Sequence, residues 1–167
     1  MVRDCEEADI DPVTQIYNHY IKYTTITFEE VEINPTEMAV RIKNIQSLFP
    51  FLICEDKGVI VGYAYASKWQ DRSAYRHTAE VTIYLHPDHL GKKFGQQLYA
   101  ELFNQLQQKN VRVLLACIAT PNPASAALHE KFGFKQVAEF KEVGYKFNQW
   151  LDVGYWSKSL SLNVEKS

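Results

Sequence analysis

Little in this sequence points to a secreted scaffold, a membrane span or a nucleic-acid surface. Its 167 residues hold three cysteines, Cys5, Cys54 and Cys117, an odd number set far apart, so no disulfide framework is implied. Cys54 and Cys117 stand inside apolar runs, where a free cysteine behaves as a small core residue. Long hydrophobic runs are missing too. The longest, Val113 to Ala119, has seven residues, against the roughly 20 that span a bilayer. The first thirty residues carry seven Asp or Glu and only Arg3 and Lys22 as cations, whereas a secretory or mitochondrial leader is basic at that end. A cytoplasmic protein is therefore expected. Positive charge is scarce: the net charge is −2, which leaves no broad basic footprint for nucleic acid. A local basic pocket for a phosphorylated ligand remains compatible with that balance.

What is present suits one globular domain. Apolar residues make up 46% and charged residues 23%, ordinary values for a domain with a sizeable core. No repeat or low-complexity linker divides the chain, so residues 1–160 read as a single domain and 161–167 as a loose tail. A short strand is expected near Val2 to Cys5. Asp11 as N-cap and Pro12 at the first helical position then open a helix with the stripe Val13, Ile16, Tyr17, Tyr20 and Ile21. After a Thr-rich loop from Tyr23 to Val31, Asn34-Pro35-Thr36-Glu37 reads as a capping box opening a second helix that runs to about Leu48.

From Pro50 the period changes. Phe51 to Glu55 and Val59 to Trp69 read as strands joined at Asp56-Lys57-Gly58, and Thr78 to His86 as a third. The loop Pro87 to Gly95 leads into an amphipathic helix carrying Phe94, Leu98, Leu102, Phe103 and Leu106. Val111 to Ala119 is a buried strand, followed by a turn and a short helix that ends at Gly133. Phe134 to Phe140 and Trp150 to Leu160 close the chain. The order βααβββαβαββ indicates an α/β or α+β fold with segregated helices, not a repeated βαβ array.

Two segments carry the chemistry. In the first, a strand (Val81 to Leu85) feeds the loop Leu90-Gly91-Lys92-Lys93-Phe94-Gly95 at a helix start. Backbone amides and the positive helix end there suit a pyrophosphate, with Lys92 and Lys93 adding charge. Taken alone, this loop fits an ordinary surface turn as well, and it has neither a P-loop ending nor Gly-x-Gly-x-x-Gly. In the second, Asn122-Pro123-Ala124-Ser125 opens a helix that carries His129 and ends at Gly133-Phe134. Together and in this order they resemble the GNAT superfamily of N-acetyltransferases. Further motifs narrow the resemblance to its phosphinothricin and methionine sulfoximine acetyltransferase branch. These are Tyr17-Asn18-His19-Tyr20-Ile21, Thr27-Phe28, Tyr63-Ala64-Tyr65-Ala66, Arg72-x-Ala74-Tyr75-x-x-Thr78-x-Glu80 and Gly144-Tyr145-Lys146-Phe147-x-x-Trp150-x-Asp152-Val153. The likeness runs from about Val2 to Leu160.

The resemblance implies a mixed, mostly antiparallel sheet of six to seven strands with about four helices, whose splayed central strands hold acetyl-CoA. The pantetheine arm would pair with Ile83, Tyr84 and Leu85, and the diphosphate would sit on Leu90, Gly91, Lys92, Lys93, Phe94 and Gly95. Asn122 and Ser125 complete the implied cofactor set, and no metal is expected. A small amino-acid-like amine would attack the thioester directly, without an acyl-enzyme. Glu80 is the implied base, directly or through a water; a carboxylate facing solvent, or paired with Arg76 or His77, is the alternative. The Leu85 N–H would polarise the thioester carbonyl. His129 would protonate the departing thiolate, or else merely pack or cap.

Phe28, Arg72, Tyr75, Thr78 and Lys146 are the implied acceptor residues. Arg72 would hold the α-carboxylate, and Lys146 has the alternative of an exposed strand-end lysine. Leu90 and Lys93 depart from the branch's loop pattern, the latter replacing a glycine. Gln70 stands where some relatives have Lys, and Asn148 where many have Gly. A homodimer is implied, with no nucleic-acid or membrane partner. Other amines or protein N-termini as acceptors, or a non-catalytic acetyl-CoA-binding module, are the competing functions.

Overall fold

The structure is a computed structural model and describes residues 1–161; the rest of the expected tail lies outside the described residues. Two tight turns with left-handed backbone set the sheet's hairpins. Lys57 and Gly58, at φ 51° and 80°, join β2 (Phe51–Asp56) to β3 (Val59–Lys68). Phe147 and Asn148, at φ 51° and 56°, join β6 (Lys135–Lys146) to β7 (Gln149–Ser159). Two successive positive φ values match the twist of the flanking strands. With β1 (Val2–Asp4), β4 (Thr78–Leu85) and β5 (Val113–Thr120), these strands form one seven-stranded sheet in the order β1-β2-β3-β4-β5-β7-β6. Every neighbouring pair is antiparallel except β4 and β5.

Strand alternation divides the core between two helix pairs. Phe51, Ile53 and Tyr63 face α1 (Ile10–Tyr23) and α2 (Pro35–Gln46). Leu52, Cys54, Ala64 and Ala66 face α3 (Phe94–Gln108), with α4 (Pro123–Lys131) packed beside it. Gly133 follows α4 at φ 86°, as a C-terminal glycine should. Among the described residues no helix is long and apolar enough to cross a membrane.

Three local expectations need correction. Helix α1 begins at Ile10 behind a 3-10 turn (Glu7–Asp9), so Asp9 and not Asp11 occupies the N-cap position. The Asp9 carboxylate makes no cap bond to α1, because Arg3 takes both its oxygens at 2.6 and 2.8 Å. Asn34 does cap α2, accepting the Glu37 N–H at 2.8 Å. The Glu37 side chain, however, turns to Arg41 instead of closing a capping box, and α2 stops at Gln46. Strand β6 does not end at Phe140. It continues to Lys146 through a register shift between Phe140 and Gly144. Asp152 secures the irregular segment by accepting the Glu142 N–H at 2.8 Å and binding Lys141 at 3.2 Å.

Candidate active site

The parallel pairing of β4 with β5 covers only Thr78–Glu80 against Val113–Leu115. Beyond that point β4 stays with β3 as far as Leu85, and β5 stays with β7 as far as Thr120. The two strands therefore part, each held by its outer neighbour. A cavity of about 310 Å³ opens between them, lined by Val81 to Tyr84 and Ala116 to Ala119. The His86 N–H donates to the Val61 carbonyl at 2.8 Å. Alternation in an antiparallel ladder then turns the backbone groups of Leu85, Ile83 and Val81 away from β3, toward the open edge. The Leu85 carbonyl there accepts the Tyr20 hydroxyl at 2.5 Å.

At the end of β4 the chain makes a 3-10 turn (Pro87–His89), then reaches α3 through Gly91 at φ 75° and Lys93 at φ 64°. No side chain caps α3, so its first amides stay available to an anion. Lys92 and Lys93 are exposed beside them. Lys93 thus takes a left-handed conformation that glycine adopts freely and a side chain does not, a strain of about 1–3 kcal/mol. Gly95, in the first turn of α3, lies close against the sheet. A Cβ there would meet Leu128 at 3.3 Å, Ile83 at 3.4 Å and Leu85 at 3.5 Å.

Glu80 sits where the strands part. It is half-buried, lines the cavity and has no hydrogen-bond partner among the described residues. Burial raises its carboxyl above the usual carboxylate range. The alternative partners are engaged elsewhere: Arg76 donates to the Ser73 carbonyl at 3.1 Å, and His77 Nδ1 lies 2.9 Å from the Asn110 carbonyl. Cys117 and Tyr155, opposite one another on β5 and β7, lie within reach of the Glu80 charge. Burial pushes both up, Tyr155 to about 12, and Glu80 adds to the rise. Cys117 corrects an expectation, since it is exposed to the cavity while Cys54 is fully buried.

His129 also lines the cavity, with both ring nitrogens engaged. Nδ1 is 2.7 Å from the Ser125 carbonyl, and Nε2 is 2.8 Å from the Tyr99 hydroxyl. A carbonyl only accepts, so the network assigns the proton to Nδ1 and makes Tyr99 the donor to Nε2. Burial lowers the His129 pKa, which favours this neutral ring. Asn122 Oδ1 caps α4 through the Ser125 N–H at 3.1 Å, and both residues line the cavity.

A second cavity, of about 550 Å³, shares Phe28, Cys117 and Val153 with the first. Phe28 comes from the loop between α1 and α2, which is pinned at several points. Tyr17 Oη bonds Thr27 Oγ1 at 3.0 Å and also reaches Glu29. Arg41 holds Glu29 through two bonds of 2.8 and 2.7 Å. Lys146, with the alternative of an exposed strand-end lysine, is not exposed. It is 1% exposed, donates to the Thr27 carbonyl at 2.8 Å and lines neither cavity. Arg72, Tyr75 and Thr78 also lie outside both linings. Tyr75 packs edge-on against Trp69, a wall of the second cavity, at 5.3 Å. The structure therefore gathers Phe28, Glu80, Ile83, Tyr84, Asn122, Ser125 and His129 around one cavity. It adds Tyr65, Thr82, Tyr99 and Cys117, which sequence reasoning missed.

Residues 2–154 match the family described as Acetyltransferase (GNAT) domain. The chain is 34% identical to a phosphinothricin N-acetyltransferase of Streptomyces viridochromogenes, over 96% of this chain and 88% of that protein. It is 32% identical to an L-methionine sulfoximine/L-methionine sulfone acetyltransferase of Salmonella typhimurium, over 95% of this chain and 94% of the relative. The solved structure of a GNAT superfamily phosphinothricin acetyltransferase from Sinorhizobium meliloti, in complex with AcCoA, superposes with a TM-score of 0.94. The identity is 34%, over 96% of this chain and 88% of that one.

Proposed function

This chain belongs to the GNAT family of acetyltransferases, and we propose that it transfers acetyl from acetyl-CoA to the α-amino group of a small amino-acid-like acceptor. One observation carries the reading: past Glu80 the splay brings a free strand edge and an unpaired carboxylate onto one cavity. The relatives' acceptors, phosphinothricin and methionine sulfoximine or sulfone, support the substrate class.

The residues present fit the donor. The open backbone edge at Ile83 and Leu85 can pair with an amide-bearing arm, beside Tyr84. The segment Leu90 to Gly95, with its uncapped helix start and exposed Lys92 and Lys93, can hold a diphosphate. Asn122 and Ser125 border the same cavity. Acetyl-CoA supplies the activated acyl group as a thioester.

The chain's own groups handle protons and position. An amino-acid amine is an ammonium at neutral pH and must lose a proton to become a nucleophile. Glu80 accepts it, its raised pKa bringing it nearer to the working pH. The Leu85 N–H, turned to the open edge, is a donor for the acyl oxygen. His129 carries its one proton on Nδ1 and donates it to the Ser125 carbonyl, so the neutral ring offers no free N–H to sulfur and acts by positioning Tyr99. Arg72 is the proposed carboxylate partner; its guanidinium is exposed and unpaired among the described residues.

Exposed Tyr145, Phe147 and Trp150 at the β6–β7 hairpin support a homodimer as the assembly. The three unpaired cysteines support a reducing, cytoplasmic setting. Release of free CoA from acetyl-CoA tests the function, with methionine sulfone, methionine sulfoximine and phosphinothricin as acceptors against spermidine and an aminoglycoside. Turnover confined to the two polyamines would overturn the amino-acid reading.

A further inference from the structure

The second cavity sits directly beside the reacting carboxylate. It shares three wall residues with the first cavity, and two of its members, Cys117 and Tyr155, feel the Glu80 charge. An acceptor whose amine meets Glu80 therefore has this cavity as the nearest space for its side chain. Of the ten residues lining it, seven are apolar, and the polar ones are Gln70, Cys117 and Tyr155. None of the ten carries a charge at neutral pH, since burial holds both the thiol and the phenol in their protonated forms. Lys141, on the same strand as four of the wall residues, is engaged by Glu139 at 2.8 Å and Asp152 at 3.2 Å.

We propose that this cavity holds the acceptor's side chain and selects an uncharged one over an anionic one. The inference rests on the amino-acid acetyltransferase reading above and narrows it to sulfone- and sulfoximine-type acceptors, setting apart phosphinothricin, whose phosphinate is anionic at neutral pH. The physical cause is desolvation: an anion placed against these walls loses water and gains no cation. Glu80, whose charge reaches Cys117 and Tyr155 of this wall, adds repulsion. A sulfonyl or amide end fits, because the Gln70 amide and the Tyr155 hydroxyl can donate to its oxygens while the apolar walls take its carbon atoms.

The test uses two acceptors of nearly the same shape. L-Methionine sulfone and L-homocysteate differ in one group, a methyl on sulfur in the first and a charged oxygen in the second. With full-length enzyme and saturating acetyl-CoA, kcat/KM for the sulfone should exceed that for homocysteate by about 30-fold or more. Gln70→Lys places a cation on the wall and should shrink the ratio at least tenfold, through a gain on homocysteate. Val143→Lys, on the β6 part of the lining, serves the same purpose if the first variant does not fold. Equal kcat/KM for the two acceptors in wild type would overturn charge selection alone. An unchanged ratio in folded lysine variants would place the side chain elsewhere and overturn the cavity assignment. CoA release with neither acceptor, while spermidine is turned over, would overturn the parent reading and this one with it.

Discussion

The ring of Phe28 occupies the space that any side chain at Gly144 would need. A Cβ built on Gly144 would lie 2.3 Å from Phe28 Cε2 and 2.7 Å from its Cζ, distances at which one of the two must move. The glycine is required by close approach and not by backbone conformation. Because Phe28 is one of the three residues common to both cavities, Gly144→Ala should displace it and raise the acceptor KM several-fold. Acetyl-CoA affinity should hardly change. Phe28→Ala on top of Gly144→Ala should add little, since the first change already removes the wall. Steady-state kinetics of the two single variants and the double variant check this.

Glu80→Gln keeps shape and removes the proton acceptor, so kcat should fall by roughly 10²-fold or more. In wild type, kcat/KM should rise with pH through a Glu80 pKa that burial lifts above the usual carboxylate range. The stability sign runs the other way. A carboxyl whose pKa is raised on folding costs stability once pH exceeds its unfolded pKa. Glu80→Gln should therefore unfold later than wild type at pH 7, and the advantage should vanish below about pH 4, near the unfolded pKa. Thermal unfolding across pH reads it; a variant less stable at neutral pH would contradict it.

Tyr99→Phe leaves the buried His129 Nε2 without its donor, at 2.8 Å in the wild type. The expected loss of stability is about 1–3 kcal/mol, the cost of an unsatisfied buried polar group. Removing a donor to the neutral ring should also move the His129 pKa upward from its depressed position. NMR titration of the imidazole separates this from simple loosening of the core.

Lys93 carries its left-handed φ of 64° without being glycine. Lys93→Gly should match or exceed wild-type stability, by up to about 1 kcal/mol, because strain relief opposes the added freedom of the unfolded chain. Acetyl-CoA binding by the variant should weaken and become less salt-dependent if the lysine charge meets phosphate. Calorimetry at two salt concentrations checks both parts.

Arg72→Ala removes the proposed partner of the acceptor carboxylate. A loss of about 2–5 kcal/mol is expected for such a pair in a partly desolvated site, so kcat/KM for the amino acid should drop ~30-fold or more. The KM for acetyl-CoA should stay constant. Amidating the acceptor carboxylate should mimic the substitution in wild type and add little in the variant. A change within about 0.5 kcal/mol would mark Arg72 as an ordinary surface residue.

Features decided within a few residues were legible in the sequence. Asn34 before Pro35, Gly58 in its hairpin and Gly133 after α4 all behave as local chemistry dictates. Features decided at long range were not. Nothing near Lys146 announces that its ammonium ends on the Thr27 carbonyl, 119 positions away. A lysine seen alone is read as exposed. The extension of β6 depends on Asp152 of the neighbouring strand, and the start of α1 on Arg3 holding Asp9 from β1. Cys117 lies in an apolar run that is core on one face only, and the open face exists because β4 and β5 part. Within the site, Glu80, Ile83, Tyr84, Asn122, Ser125 and His129 were reached through motif order. The Tyr99 hydroxyl and the second cavity required the packed fold.

The parting of β4 from β5 also ties the protein's endurance to its fuel. Inner-edge amides from Val81 to Leu85 are sheet groups with no strand beside them, and on the proposed reading the donor's arm supplies the absent rung. Free energy of unfolding then climbs with donor concentration as RT ln(1 + [L]/Kd). Cells rich in acetyl-CoA would hold a longer-lived enzyme than starved ones, and the catalyst would persist in proportion to the reagent it spends.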